Sequence, residues 1–160
     1  EDPTAVKDLP VWKNAAGVEI QTVGRRVNTA KGAVGESGDP FHEYKILERL
    51  TQMGLPAAKP VAKAEQADTY IIVMERIPGL RWSEKDSLNL KEKGYSDEDI
   101  ATLMTEAEQK MNELKVRFDE AGVVRDWKLK DMVFEVDVEN KKITSMVPTD
   151  WERTKIVEKE

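Results

Sequence analysis

Three charged clusters stand at places where a chain should hold side chains in fixed positions rather than leave them solvated. Arg125-Asp126-Trp127-Lys128 follows a short valine pair, Asp131 comes five residues after Asp126, and Asp150-Trp151 follows an alternating, hairpin-like stretch. Carboxylates beside basic groups suit proton acceptance from a hydroxyl and oxygen ligation of a hard cation. The same aspartates also suit plain turn chemistry, because aspartate starts loops and caps helices. Composition removes much of the remaining chemistry. The 160 residues contain no cysteine, which excludes a disulfide framework, a thiolate zinc site, an iron–sulfur cluster and a cysteine nucleophile. The single histidine, His42, excludes a Ser–His–Asp triad unless His42 itself serves it. The 31 acidic residues against 25 Lys plus Arg give a net charge of -6, and the sequence pI is about 5.1. Such a balance argues against a nucleic-acid phosphate backbone or an anionic membrane as partner. No apolar run approaches the roughly 20 residues of a membrane helix, so a soluble protein is expected. The chain opens Glu1-Asp2-Pro3-Thr4 without methionine, which fits a signal segment or boundary upstream and leaves the compartment open.

The clusters need elements to position them. A chain of this length can bury roughly two thirds of its unfolded surface, so one domain or one small two-lobed unit is expected. Val11 to Lys13 and Val18 to Val27 read as two strands joined by Asn14-Ala15-Ala16-Gly17, a turn-forming stretch. Gly32, Gly35 and Gly38 read as a flexible connector, and Asp39-Pro40 supplies a helix start. That helix carries an apolar stripe of Phe41, Tyr44, Ile46, Leu47 and Leu50, and Gly54 and Pro56 end it. Thr69 to Ile77 is a β-branched run stopped by Pro78-Gly79. A long helix is predicted from Ser96, with Asp99 three positions on as its capping partner, to just before Gly122. Val123-Val124, Met132 to Val138 and Ile143 to Val147 read as strands, the last two as a hairpin, and Lys155 to Glu160 as a frayed end. The order strands, helix, strands, long helix, hairpin is an α+β arrangement.

Four segments, in order, resemble the protein-kinase superfamily. Val123 to Asp131 resembles the catalytic loop, with Val124 where His or Tyr usually sits, Asp126 matching the catalytic aspartate, Lys128 the substrate-side lysine and Asp131 in place of the metal-binding asparagine. Pro148-Thr149-Asp150-Trp151-Glu152 resembles the Asp-Phe-Gly stretch, with Trp for Phe and Glu for Gly. Phe41 to Leu50 resembles the C-helix, with Glu43 as its salt-bridging glutamate, and Tyr70 to Gly79 resembles the strand and hinge, with Met74 as gatekeeper and Glu75 to Ile77 offering backbone groups to an adenine. The resemblance spans about Val11 to Glu152. It implies a two-lobed fold with a strand-rich small lobe over about 1–77, a hinge at about 75–79 and a truncated helical large lobe over about 80–160.

The cofactors it implies are ATP and Mg2+. Asp131 and Asp150 would be the magnesium ligands, Asp126 would orient an acceptor hydroxyl and take its proton, and Lys128 would lie near the transferred phosphoryl group. A lysine two residues after the catalytic aspartate is more typical of serine/threonine protein kinases than of small-molecule phosphotransferases, so a protein substrate is implied. Trp127 and Trp151 read as packing around this site, and His42 as a partly exposed helix residue.

The pattern also departs from the family. Thr4 to Pro10 has no glycine where a glycine-rich loop should precede Val11, and Val23-Gly24-Arg25-Arg26 holds no lysine to pair with Glu43. Arg25, on the same strand face as Gln21 and Val23, is the candidate partner, with Lys13 as the alternative. Eight residues follow Glu152, which leaves space only for a minimal kinase and is similar to small bacterial effector kinases delivered into host cells. Two functions are therefore expected in competition. One is an atypical protein kinase using Mg-ATP on a Ser/Thr hydroxyl, and the other a pseudokinase acting as a binding module.

Overall fold

The computed structural model describes residues 5–6, 11–26, 40–66 and 69–157. The connector glycines Gly32, Gly35 and Gly38, residue Asp39 and the end of the chain from Glu158 lie outside the described residues, and so does the side chain of Arg25. The helix expected to open at Asp39-Pro40 instead begins at His42, with Phe41 in the cap position. The chain divides into two units. One comprises Glu1–Arg76 with Asp150–Thr154, the other Ile77–Thr149 with Lys155–Glu160.

In the first unit, β1 (Ala5–Val6), β4 (Thr22–Arg26), β6 (Thr69–Glu75) and β5 (Pro60–Gln66) form an antiparallel sheet in that order. A separate hairpin pairs β2 (Trp12–Lys13) with β3 (Glu19–Ile20), and the Asn14 side chain caps its turn by accepting from the Ala16 and Val18 N–H groups. The single strand expected over Val18 to Val27 is thus two strands that part at Gln21. Up to Ile20 the chain pairs with β2, and from Thr22 it pairs with β6, the Gln21 carbonyl accepting from the Arg76 N–H at 2.8 Å. Strand β6 ends at Glu75, two residues earlier than the β-branched run suggests. Strand β5 has no counterpart in the sequence reading. Its Ala, Lys and Glu residues disfavour strand, and it forms because the central β6 supplies a ladder from Pro60 to Gln66. Proline at its first residue is a position where a strand tolerates one.

Helix α1 (His42–Gln52) buries Ile46, Leu47 and Leu50 on one stripe. It ends in a Schellman motif. Gly54 takes the left-handed conformation at φ +72°, its N–H donates to the Thr51 carbonyl, and the Leu55 N–H donates to the Leu50 carbonyl.

In the second unit, α2 (Asp97–Glu120) is opened by the expected reciprocal cap: the Asp99 N–H donates to Ser96 Oγ and the Ser96 N–H to Asp99 Oδ2, both at 3.0 Å. Its buried residues Leu103, Ala107, Leu114 and Phe118 follow the helical repeat. Antiparallel β9 (Met132–Asp137) and β10 (Lys142–Pro148) form the predicted hairpin, and β7 (Leu80–Arg81) adds to β9. At Gly79, φ +120°, a Cβ would run into the Phe134 carbonyl oxygen, so only glycine fits there. A 3-10 helix, Trp82–Leu88, follows β7 and was not legible in the sequence. The end is not frayed at Lys155: β11 (Lys155–Ile156) pairs with β8 (Val123–Val124), and the Val157 N–H donates to the Gly122 carbonyl. The fold is mixed, with several antiparallel sheets and separate helices. Among the described residues no helix is long and apolar enough to cross a membrane.

Candidate functional site

The candidate residues fall in both units. In the first, Glu43 sits in the first turn of α1, on the face that also carries Ile46, Leu47 and Leu50, and is only 6% exposed. A buried carboxylate is costly unless its oxygens are bonded. One of them, Oε2, accepts from the backbone N–H of Trp151 at 3.2 Å, and Trp151 is itself 2% exposed. Two of the segments that carry the family resemblance are thereby joined directly. Asp150, one residue earlier, is exposed and holds φ +62°, the left-handed region that non-glycine residues adopt at a cost. The turn from Trp151 closes with the Thr154 N–H on the Trp151 carbonyl at 3.1 Å, and His42 Nε2 reaches the Thr154 carbonyl at 2.6 Å.

Met74 and Glu75 close β6, where both are half-buried. The Glu75 N–H donates to the Lys59 carbonyl and the Arg76 N–H to the Gln21 carbonyl, each at 2.8 Å. These two donors are therefore committed to neighbouring chain. Arg25 is in β4 opposite Ile72, and its expected pairing with Glu43 lies outside the described residues. Lys13 is exposed in β2.

In the second unit the segment after β8 is built on the last turns of α2. The Trp127 ring meets the buried Phe118 edge-on at 5.3 Å, and the Arg125 guanidinium lies over the Trp127 ring at 5.0 Å. Arg125 Nε also donates to the Asp126 carbonyl at 3.0 Å. This stack fixes the backbone while Asp126 and Lys128 remain exposed. A 3-10 turn, Leu129–Asp131, follows, and the Asp131 N–H donates to the Lys128 carbonyl. The Asp131 carbonyl accepts twice from Thr149, from its N–H at 2.7 Å and its hydroxyl at 2.9 Å. Sequence reasoning missed this clamp and the His42–Thr154 bond, because each joins residues far apart in the chain.

Asp131 and Asp150 are oxygen donors, the type that magnesium takes, and magnesium needs only one or two carboxylates besides phosphates and water. Among the described residues no three His, Cys, Asp or Glu side chains gather into a metal-holding group.

No family model matches the chain, and no curated protein matches it. Solved structures do. The bifunctional kinase-methyltransferase WbdD matches with a TM-score of 0.51 at 16% identity, over 86% of this chain and 29% of that one. A second structure of WbdD, a co-crystal with the kinase inhibitor LY294002, gives a TM-score of 0.50 at 16% identity, over 85% of this chain and 29% of that one. The likeness is one of fold and supports a kinase-like arrangement. This chain spans under a third of the length of WbdD.

Proposed function

We propose that the chain is a minimal, atypical protein kinase of two lobes that transfers the γ-phosphate of Mg-ATP to a Ser or Thr hydroxyl of a protein. In this reading Asp126 orients the hydroxyl and receives its proton as the oxygen bonds to the γ-phosphorus. The bond from that phosphorus to the bridging oxygen breaks, and ADP leaves. Lys128 places a cation near the transferred group, and Asp131 and Asp150 supply oxygen ligands to magnesium. Arg25 and Glu43 orient the phosphates, and Met74, Glu75 and Ile77 face the nucleotide base.

The observation that carries the reading is the Glu43–Trp151 hydrogen bond, because it unites the helix and the aspartate-bearing segment that the resemblance treats as parts of one site. The fold likeness to the bifunctional kinase-methyltransferase WbdD supports it. The competing pseudokinase reading rests on the glycine-free Thr4 to Pro10 stretch and on Trp151 and Glu152 in the Asp-Phe-Gly segment. Transfer of radiolabel from γ-labelled ATP to the chain itself or to a mixed protein substrate separates the two. The kinase reading expects labelling that Asp126→Asn abolishes with no change in the melting temperature. Equal labelling by the variant contradicts the role of Asp126, and no labelling by the wild type favours the pseudokinase.

A further inference from the structure

The first turn of α1 grips the segment after Asp150 at two points. Glu43 accepts from the Trp151 N–H, and His42 bonds the carbonyl of Thr154, which is 1% exposed. A carbonyl oxygen can only accept, so His42 Nε2 carries the hydrogen and donates. The 2.6 Å separation is just shorter than the usual N–H···O range. The Thr154 hydroxyl is buried with no partner among the described residues, so the tie between Thr154 and His42 runs through the backbone carbonyl. Between the two grips the chain makes one closed turn, Thr154 N–H to Trp151 carbonyl. Immediately before it stands Asp150 at φ +62°, in the left-handed region that aspartate and asparagine enter more readily than other non-glycine residues.

We propose that His42 is a positioning residue: its Nε2–H holds the Thr154 carbonyl, and with the Glu43–Trp151 bond it locks the turn that presents Asp150. The proposal rests on the reading of Asp150 as a magnesium ligand. His42 donates to a buried carbonyl, a group that needs a hydrogen-bond partner.

The test compares His42→Ala, His42→Asn, His42→Gln and the control Thr154→Val in the full chain. Gln places an amide N–H near the position of Nε2, whereas Asn is polar but too short. Amide hydrogen exchange at Trp151 and Thr154 reads the lock without any nucleotide. Exchange should accelerate about tenfold in the Ala and Asn variants, the weight of one hydrogen bond. It should return toward wild type in His42→Gln and stay unchanged in Thr154→Val. ATP affinity in magnesium should fall by a similar factor, about tenfold, in the Ala and Asn variants and recover in Gln, with magnesium-free affinity unchanged. Unchanged exchange in Ala and Asn overturns the lock, and so does failure of Gln to rescue. Absence of magnesium-dependent ATP binding in the wild type overturns the role assigned to Asp150, and the exchange rates show separately whether the lock itself exists.

Discussion

The carboxylate of Glu43 and the backbone N–H of Trp151 meet at 3.2 Å across 108 positions of sequence, both residues buried. A long-range bond of this kind stabilises by keeping a desolvated donor satisfied. Glu43→Ala should therefore destabilise the first unit by about 1–3 kcal/mol, the cost of an unsatisfied buried group. Glu43→Gln, whose amide oxygen still accepts, should lose less. Urea unfolding of the two variants checks the order, and an Ala variant as stable as wild type contradicts it.

Ser96→Ala removes the hydroxyl that accepts from the Asp99 N–H at the start of α2. The expected loss is about 1 kcal/mol, with Ser96→Gly losing only a few tenths. Denaturant midpoints followed by helical circular dichroism measure both.

Acid should weaken the second unit through two carboxylates. The Lys141 ammonium, with the Ser96 N–H, holds Asp99 below the usual carboxylate range, and the Asn140 amide does the same for Asp137. A depressed folded pKa contributes stability that is present above the unfolded value, near pH 4, and is lost as pH falls through the folded value. Lys141 is raised by Asp99, so its share is present below the ordinary lysine value and lost in strong alkali. Asp99→Asn should melt below wild type at pH 7 and converge with it under pH 4. Parallel curves contradict the assignment. The pair is partly exposed, so its weight is modest and falls with salt.

Both α-helices of the described residues were legible because their signals are local: the Ser96–Asp99 cap, the three- and four-residue apolar spacing and Gly54 past the end of α1. The β9–β10 hairpin was legible from its alternation. What escaped is set by distant partners. Strand β5 has no strand composition of its own, and the break at Gln21 follows from a change of partner. Lys155–Ile156 is a strand only because Val123–Val124 lies beside it. Among candidate residues, Glu43 was named from its place in a helix motif, but nothing near it in the sequence points to Trp151. His42 was read as partly exposed, which it is, and its acceptor lies 112 residues away.

The central claim is that Asp150 belongs to a magnesium-dependent nucleotide site. Thermal unfolding of the chain with ATP, with and without magnesium, tests it most directly, since a ligand that binds only the folded state raises the midpoint. Asp150→Asn is the informative variant, because asparagine tolerates the left-handed conformation while losing the charge. The account predicts a magnesium-dependent rise of several degrees at ATP about 100-fold above its dissociation constant, largely lost in Asp150→Asn. A rise of the same size in the variant, or none in the wild type at millimolar ATP, contradicts it.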